Sequence, residues 1–180
     1  MKKLLLGILV TTVFFLTANA QEVKFGLKGG VNFSTILGDN PSIDSRTGFH
    51  VGGLAEVKLG DSFSIQPEVL YTQLGTSDPI YELKVDYLAI PIMTKFYLGK
   101  VFSLQVGPQF SFLLDDEFRG DVFTREPDLT NFDVAANFGF GVNLKNGLFF
   151  ETRYALGITP MQENPDLQNG AFQLSVGFQF

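Results

Sequence analysis

The sequence has no cysteine, no tryptophan and a single histidine. Without cysteine there is no disulfide framework, no thiolate zinc site and no thiol nucleophile, and one histidine cannot build a multi-histidine metal centre. Charge is scarce as well: 18% of the residues are charged, against roughly 25% in soluble domains. The formal net charge of -6 argues against nucleic acid as a partner. After residue 20 no apolar run approaches the roughly 18 residues that a membrane helix needs, and helical periodicity is missing. What the chain has instead is Phe, 20 of them, with 19 Gly, in 180 residues. That length fits one domain, and so apolar and aromatic a composition excludes a disordered tail.

The first twenty residues are predicted to be a signal peptide. Met1-Lys2-Lys3 is a basic n-region, Leu4 to Leu16 an apolar h-region, and Ala18-Asn19-Ala20 the small-x-small pattern that a signal peptidase cuts. A helical anchor fits less well, because the run is short and ends in a cleavage site where a basic stop-transfer flank would stand. The domain expected to remain spans residues 21–180, with 11 basic against 19 acidic residues once Lys2 and Lys3 are gone.

That domain alternates with period two, which places successive side chains on opposite faces of a strand. Val23, Phe25, Leu27, Val31 and Phe33 oppose Lys24, Lys28, Asn32 and Ser34. Phe49, Val51 and Val57 oppose His50, Glu56 and Lys58; Phe63, Ile65, Val69 and Tyr71 oppose Ser64, Gln66, Glu68 and Thr72. Leu88, Ile90, Ile92, Phe96 and Leu98 are in phase, with Pro91 and Lys95 opposite. Segments around Phe102–Phe112, Phe132–Leu144, Leu148–Ile158 and Phe172–Phe180 repeat the split. Eight strands result. Pro67, Pro91 and Pro108 each imply a bulge or a missing ladder bond, since proline has no N–H to donate.

The connections alternate in length. Gly60-Asp61, Gly99-Lys100 and Lys145-Asn146-Gly147 are tight-turn signals, whereas Thr35–Thr47, Gly75–Glu82, Leu114–Thr130 and Thr159–Asn169 read as long loops. An even-stranded, up-and-down antiparallel barrel with short turns at one rim and long loops at the other has this rhythm.

Alternation alone does not separate a soluble barrel, apolar inward, from a transmembrane one, apolar outward. The polar face decides, being mostly Gly, Ser, Asn and Gln instead of the Lys and Glu that a water-facing wall requires. The Phe-rich face would also overpack an eight-stranded interior. The fold class expected is therefore all-β, an eight-stranded transmembrane barrel. Phe63, Tyr97, Phe102, Phe149 and Phe180 are expected as an aromatic girdle at the short-turn rim, and Tyr71, Tyr87 and Tyr154 at the other.

The runs Gly26-Leu27-Lys28-Gly29-Gly30-Val31-Asn32-Phe33-Ser34, Gly48-Phe49-His50-Val51-Gly52, Phe63-Ser64-Ile65-Gln66-Pro67-Glu68-Val69-Leu70-Tyr71, Tyr87-Leu88-Ala89-Ile90-Pro91 and Gly107-Pro108-Gln109 resemble the PorT-type outer-membrane β-barrel family over essentially the whole exported chain. The resemblance implies a small barrel in the outer membrane of a Gram-negative envelope, in contact with lipid and lipopolysaccharide. It also implies that the closing Phe178 and Phe180 serve as a signal to the barrel insertion machinery. The founding member is associated with a secretion system, so secretion-system or other envelope proteins are implied as partners. The family typically carries a Glu at the position of Ala89, and any role of that carboxylate is absent here.

By parity Lys24, Lys28, Lys58, Lys95 and Arg153 face the lumen with Glu56, Glu68, Asp133 and Glu151. The signs nearly cancel, which suits an ion-paired plug; a gated pore or proton path is the alternative. His50, Ser64 and Glu68 share that face and formally supply a hydrolytic triad, the basis of a third reading as a lipid-modifying enzyme. The longest loop carries Asp115, Asp116, Glu117, Asp121, Glu126 and Asp128, a candidate external site for cations or partners whose spacing matches no EF-hand. The leading expectation is a non-enzymatic barrel without cofactor or metal, with a structural or interaction role; a secretion or transport component or a narrow pore is the alternative.

Overall fold

The computed structural model describes residues 22–37, 46–77, 81–120, 131–159 and 168–180. The predicted signal peptide lies outside them. Eight strands run β1 (Val23–Leu37), β2 (Arg46–Gly60), β3 (Phe63–Ser77), β4 (Tyr81–Leu98), β5 (Phe102–Gly120), β6 (Phe132–Asn143), β7 (Leu148–Gly157) and β8 (Gln168–Gln179). Each pairs antiparallel with its chain neighbours, and β1 closes on β8 from Gly26↔Gln179 to Leu37↔Gln168. Closure removes every sheet edge, which is what lets a sheet stand in hydrocarbon with all its backbone groups satisfied.

Parity sorts the side chains as the pattern requires. Leu27, Val51, Val69, Leu104, Phe138, Phe150 and Val176 are exposed on the outside, while Lys28, His50, Glu68, Gln105, Asn137, Arg153 and Ser175 are buried within. Tight turns close the rim that holds both ends of the barrel; Gly147, with φ of 90°, takes the left-handed conformation that side-chain-bearing residues avoid.

Two expectations are corrected. Strands continue into segments read as long loops: β1 reaches Leu37, β3 reaches Ser77, β4 begins at Tyr81 and β5 runs to Gly120, with Tyr81↔Gly120 still paired. Asp115, Asp116 and Glu117 therefore stand on β5, and Asp121, Glu126 and Asp128 fall outside the described residues. Backbone pairing does not require alternating side chains, so the ladder continues where the apolar alternation stops. Three girdle residues also point the wrong way. Tyr87 is buried against Leu74, Val85, Ala155 and Ala171, Tyr97 bonds the inward Glu56, and Phe149 is buried under Lys95, whose Nζ lies 5.7 Å from the ring centroid. Phe63, Phe102, Phe180, Tyr71 and Tyr154 keep the outward parity.

The prolines cause gaps, not bulges. The β2–β3 ladder passes from Leu54↔Glu68 to Val57↔Ile65, skipping two pairs beside Pro67 with the register kept. The β3–β4 ladder does the same beside Pro91, and β4–β5 beside Pro108. The irregularities in register lie elsewhere, between Lys58 and Gly60 and between Asp86 and Tyr87, where Leu114 is the extra residue on β5.

Candidate functional site

The inward side chains stack in layers from one rim to the other. Nearest the short turns, Glu56 on β2 accepts hydrogen bonds from the Tyr97 hydroxyl and from Gln179 Nε2 at 2.7 Å, with Lys95 Nζ 3.5 Å away. Above it, Glu151 on β7 is met by Lys28 Nζ at 3.2 Å, Lys95 Nζ at 3.4 Å, Gln105 Nε2 at 2.8 Å and Arg153 Nη2 at 3.2 Å. Arg153 also forms a fork with Glu68, Nη1 to Oε2 at 3.0 Å and Nη2 to Oε1 at 2.9 Å. β3 and β7 are four places apart in a ring of eight, so this pair spans the lumen. Lys28 Nζ joins it 2.7 Å from Glu68 Oε2. Bidentate guanidinium–carboxylate contacts are among the strongest hydrogen bonds available to side chains.

Three cations, Lys28, Lys95 and Arg153, thus face three anions, Glu56, Glu68 and Glu151, all within 1% side-chain exposure. Of the nine charged residues assigned to the lumen by parity, these six converge. Lys24 and Lys58 do not: they sit at the short-turn mouth, both paired to Glu22, with side chains 39% and 35% exposed. Asp133 lies towards the other end, bonded by the Thr159 hydroxyl. Parity gives the face of a residue but not its depth along the barrel, and depth decides its partners. The uncharged members Gln66, Gln105 and Gln179 have inward parity as well, and Tyr97, expected in the outer girdle, joins them.

A third layer holds His50. Asn32 Nδ2 donates to Phe49 O at 3.2 Å, Thr72 Oγ1 at 2.8 Å and Gln73 O at 2.9 Å, which leaves its Oδ1 to accept from His50 Nδ1 at 2.7 Å. The ring is then the Nδ1–H tautomer, and Ser175 Oγ donates to Nε2 at 2.8 Å. Ser64 and Glu68 are not its partners, so the triad considered from sequence is not assembled. Asn32–His50–Ser175 has the order amide–imidazole–hydroxyl, but His50 is 1% and Ser175 8% exposed, enclosed among packed side chains. Above this layer Leu74, Val85, Tyr87, Ala155 and Ala171 form an apolar cluster with Leu113 packed on it. Among the described residues no group of three or more His, Asp or Glu is placed to hold a metal ion.

On the outer face the Tyr71 hydroxyl donates to Asp86 Oδ2 at 2.7 Å and Lys84 lies 3.4 Å from the same oxygen. This polar group marks the upper limit of the apolar band on β3 and β4. Asp115, opposite Asp86, is exposed.

Comparisons with known proteins agree with this geometry. A family model described as outer membrane protein beta-barrel domain matches residues 19–163. No curated protein sequence matches the chain. Among solved structures, Ail, the attachment invasion locus protein of Yersinia pestis, superposes with a TM-score of 0.57 at 15% identity, covering 88% of this chain and 99% of that one. Ail has also been solved with the heparin analogue sucrose octasulfate. Neisserial surface protein A gives 0.55 at 13% identity over 87% of this chain and 97% of that one. At such identities the likeness is one of fold. With eight strands closed into an apolar-faced barrel and four fifths of its length within the family model, the chain belongs to the outer membrane protein β-barrel domain family and resides in the outer membrane.

Proposed function

We propose that the chain is a non-enzymatic, sealed outer-membrane barrel whose rigid wall presents its exterior rim to envelope components, residues 1–20 being removed on export. The observation that carries this reading is the interior. Lys28, Lys95 and Arg153 are paired to Glu56, Glu68 and Glu151 across the lumen, and an apolar layer around Tyr87 lies above them. Buried charges that satisfy one another offer no site to a passing ion, and a dry apolar layer opposes a water file. The barrel purified from outer membranes is expected to stay silent in planar bilayers. Steady discrete conductance would replace this reading with a pore.

His50 then serves packing. Its nitrogens are both used, and Ser175 is buried among the described residues. Lipid A from a His50→Ala strain is expected to match the parent; an altered profile would restore the enzyme reading. At the exterior end β5 carries Asp115, Asp116 and Glu117, and the sequence that follows adds Asp121, Glu126 and Asp128, which lie outside the described residues. That charge suits divalent cations shared with lipopolysaccharide phosphates better than a polyanion bound directly.

A second reading, a PorT-like role in secretion, is favoured by the sequence runs around Lys28, His50, Glu68 and Pro91. Crosslinked envelopes would yield the barrel together with secretion components; a barrel recovered alone counts against it.

A further inference from the structure

Below the ion-paired layers the short-turn end opens as a pocket of about 430 Å³. In a family whose barrels keep short turns and chain ends on the periplasmic side, this mouth faces the periplasm. Four lysines line it, Lys24 and Lys58 from β1 and β2, Lys100 and Lys145 from the β4–β5 and β6–β7 turns. In a chain of formal net charge -6 with 13 basic residues, that is a local excess of positive charge. Lys24 and Lys58 have inward parity, so their ammonium groups address the mouth and not the surrounding lipid.

Two of these lysines already hold a carboxylate from just outside the pocket lining. Glu22, just ahead of β1, lies 3.0 Å from Lys58 Nζ and 3.1 Å from Lys24 Nζ, and hydrogen bonds from those two lysines hold its carboxyl below the usual carboxylate range. The acidic side chain on the wall, Glu56, is engaged by Tyr97, Gln179 and Lys95. Lys100 and Lys145 have no carboxylate partner among the described residues. The excess charge of Lys100 and Lys145 therefore remains, and Lys24 and Lys58 already hold a group of the carboxylate class.

We infer that the periplasmic mouth is a binding site for a small multivalent anion of the carboxylate or phosphate class, gripped by Lys24, Lys58, Lys100 and Lys145, with Glu22 as a built-in competitor. The volume falls within the roughly 300–1,000 Å³ of small-ligand sites, too small for a folded partner. Lysine ammonium groups act as point charges on flexible stems, so they accept either anion without demanding one fixed geometry. The same chemistry is supplied by a soluble anion or by a phospholipid headgroup of the inner leaflet.

The test is calorimetric titration of the mature barrel in phosphatidylcholine nanodiscs with citrate and with pyrophosphate at low salt. Binding that weakens with salt is expected. The double variant Lys100→Gln, Lys145→Gln should weaken it roughly tenfold or more, whereas Glu22→Gln should tighten it about threefold by removing the competitor. Glu82→Gln, the same change of net charge at the opposite end, should leave affinity as it was. Heat-dependent gel mobility confirms that each variant is folded. Exchanging part of the lipid for phosphatidylglycerol separates the sources: competition with citrate assigns the mouth to headgroups, and undiminished affinity assigns it to soluble anions. Absence of binding by both probes at millimolar concentration, or equal affinity in the double-lysine variant, overturns the inference.

Discussion

The Arg153–Glu68 fork joins strands on opposite sides of the lumen, and its energetics turn on what happens when one partner is removed. A buried charge left without its counter-ion keeps its desolvation penalty and loses the compensating attraction, a cost of about 3–5 kcal/mol. Arg153→Gln leaves Glu68 with Lys28 alone and strips one cation from Glu151, so a loss of that size is expected in urea unfolding from lipid bilayers. Lys24→Gln is the comparison, because that lysine pairs at the wet mouth, where exposed pairs contribute at most about 1 kcal/mol. Equal losses for the two would mean that the interior pairing does not hold the barrel. Gly177 shows a different kind of constraint. A Cβ there would sit 2.2 Å from the Phe149 ring and 2.6 Å from Leu27 O, and Phe149 is the ring that covers Lys95. Gly177→Ala is expected to cost about 1–3 kcal/mol as an overpacking change. In a double-mutant cycle with Phe149→Ala the two losses should fall short of additivity; strict addition would show that the glycine matters only for the backbone contact.

Strands were legible wherever one face met lipid. Period two fixed eight elements and their faces from Val23 to Phe180, because a slip of one residue would turn each apolar set into the lumen. It could not mark the outer ends of β1, β3, β4 and β5, where the ladder continues without apolar alternation. Nor did it locate partners: Arg153 and Glu68 are 85 positions apart, and only closure of the ring sets β3 opposite β7. The inward Tyr87, Tyr97 and Phe149 are legible from the period alone, since the tyrosines share the parity of Lys95 and Phe149 that of Glu151 and Arg153; aromatic type points to a girdle, but the period decides the face. The prolines were legible as lost donors but not as gaps that preserve register. The outward set carries its own prediction. Phe138, near the middle of β6 and 53% exposed, replaced by Arg should destabilise the folded barrel in bilayers by about 2–4 kcal/mol. A neutral result would mean that this face does not lie in hydrocarbon.

At the scale of the whole molecule the described residues divide among three environments: Phe and aliphatic side chains to lipid, small polar and paired charged groups to the lumen, and the exposed Asp115 and the mouth lysines to the two rims. On the sealed reading the six-charge network and, beyond the His50 layer, the apolar cluster of Leu74, Val85, Tyr87, Ala155 and Ala171 with Leu113 act as barriers in series. Flow through barriers in series is limited by the tighter, so removing one is not enough. Replacing Lys28, Glu68, Glu151 and Arg153 together by Ala removes two charges of each sign and leaves the Lys95–Glu56 pair intact, so that no buried charge loses its counter-ion. It is expected to leave bilayers silent, because the apolar layer still excludes a continuous water file. Adding Tyr87→Ala takes the largest side chain out of that layer and should give discrete, ohmic conductance steps, with Tyr87→Ala alone remaining silent. Conductance from the fourfold variant alone would place the whole seal in the charge network, and conductance from Tyr87→Ala alone would place it in the apolar layer. Silence from the combined variant, with folding confirmed by gel mobility, would mean that other lumenal side chains, such as the Asn32–His50–Ser175 layer, close the barrel on their own.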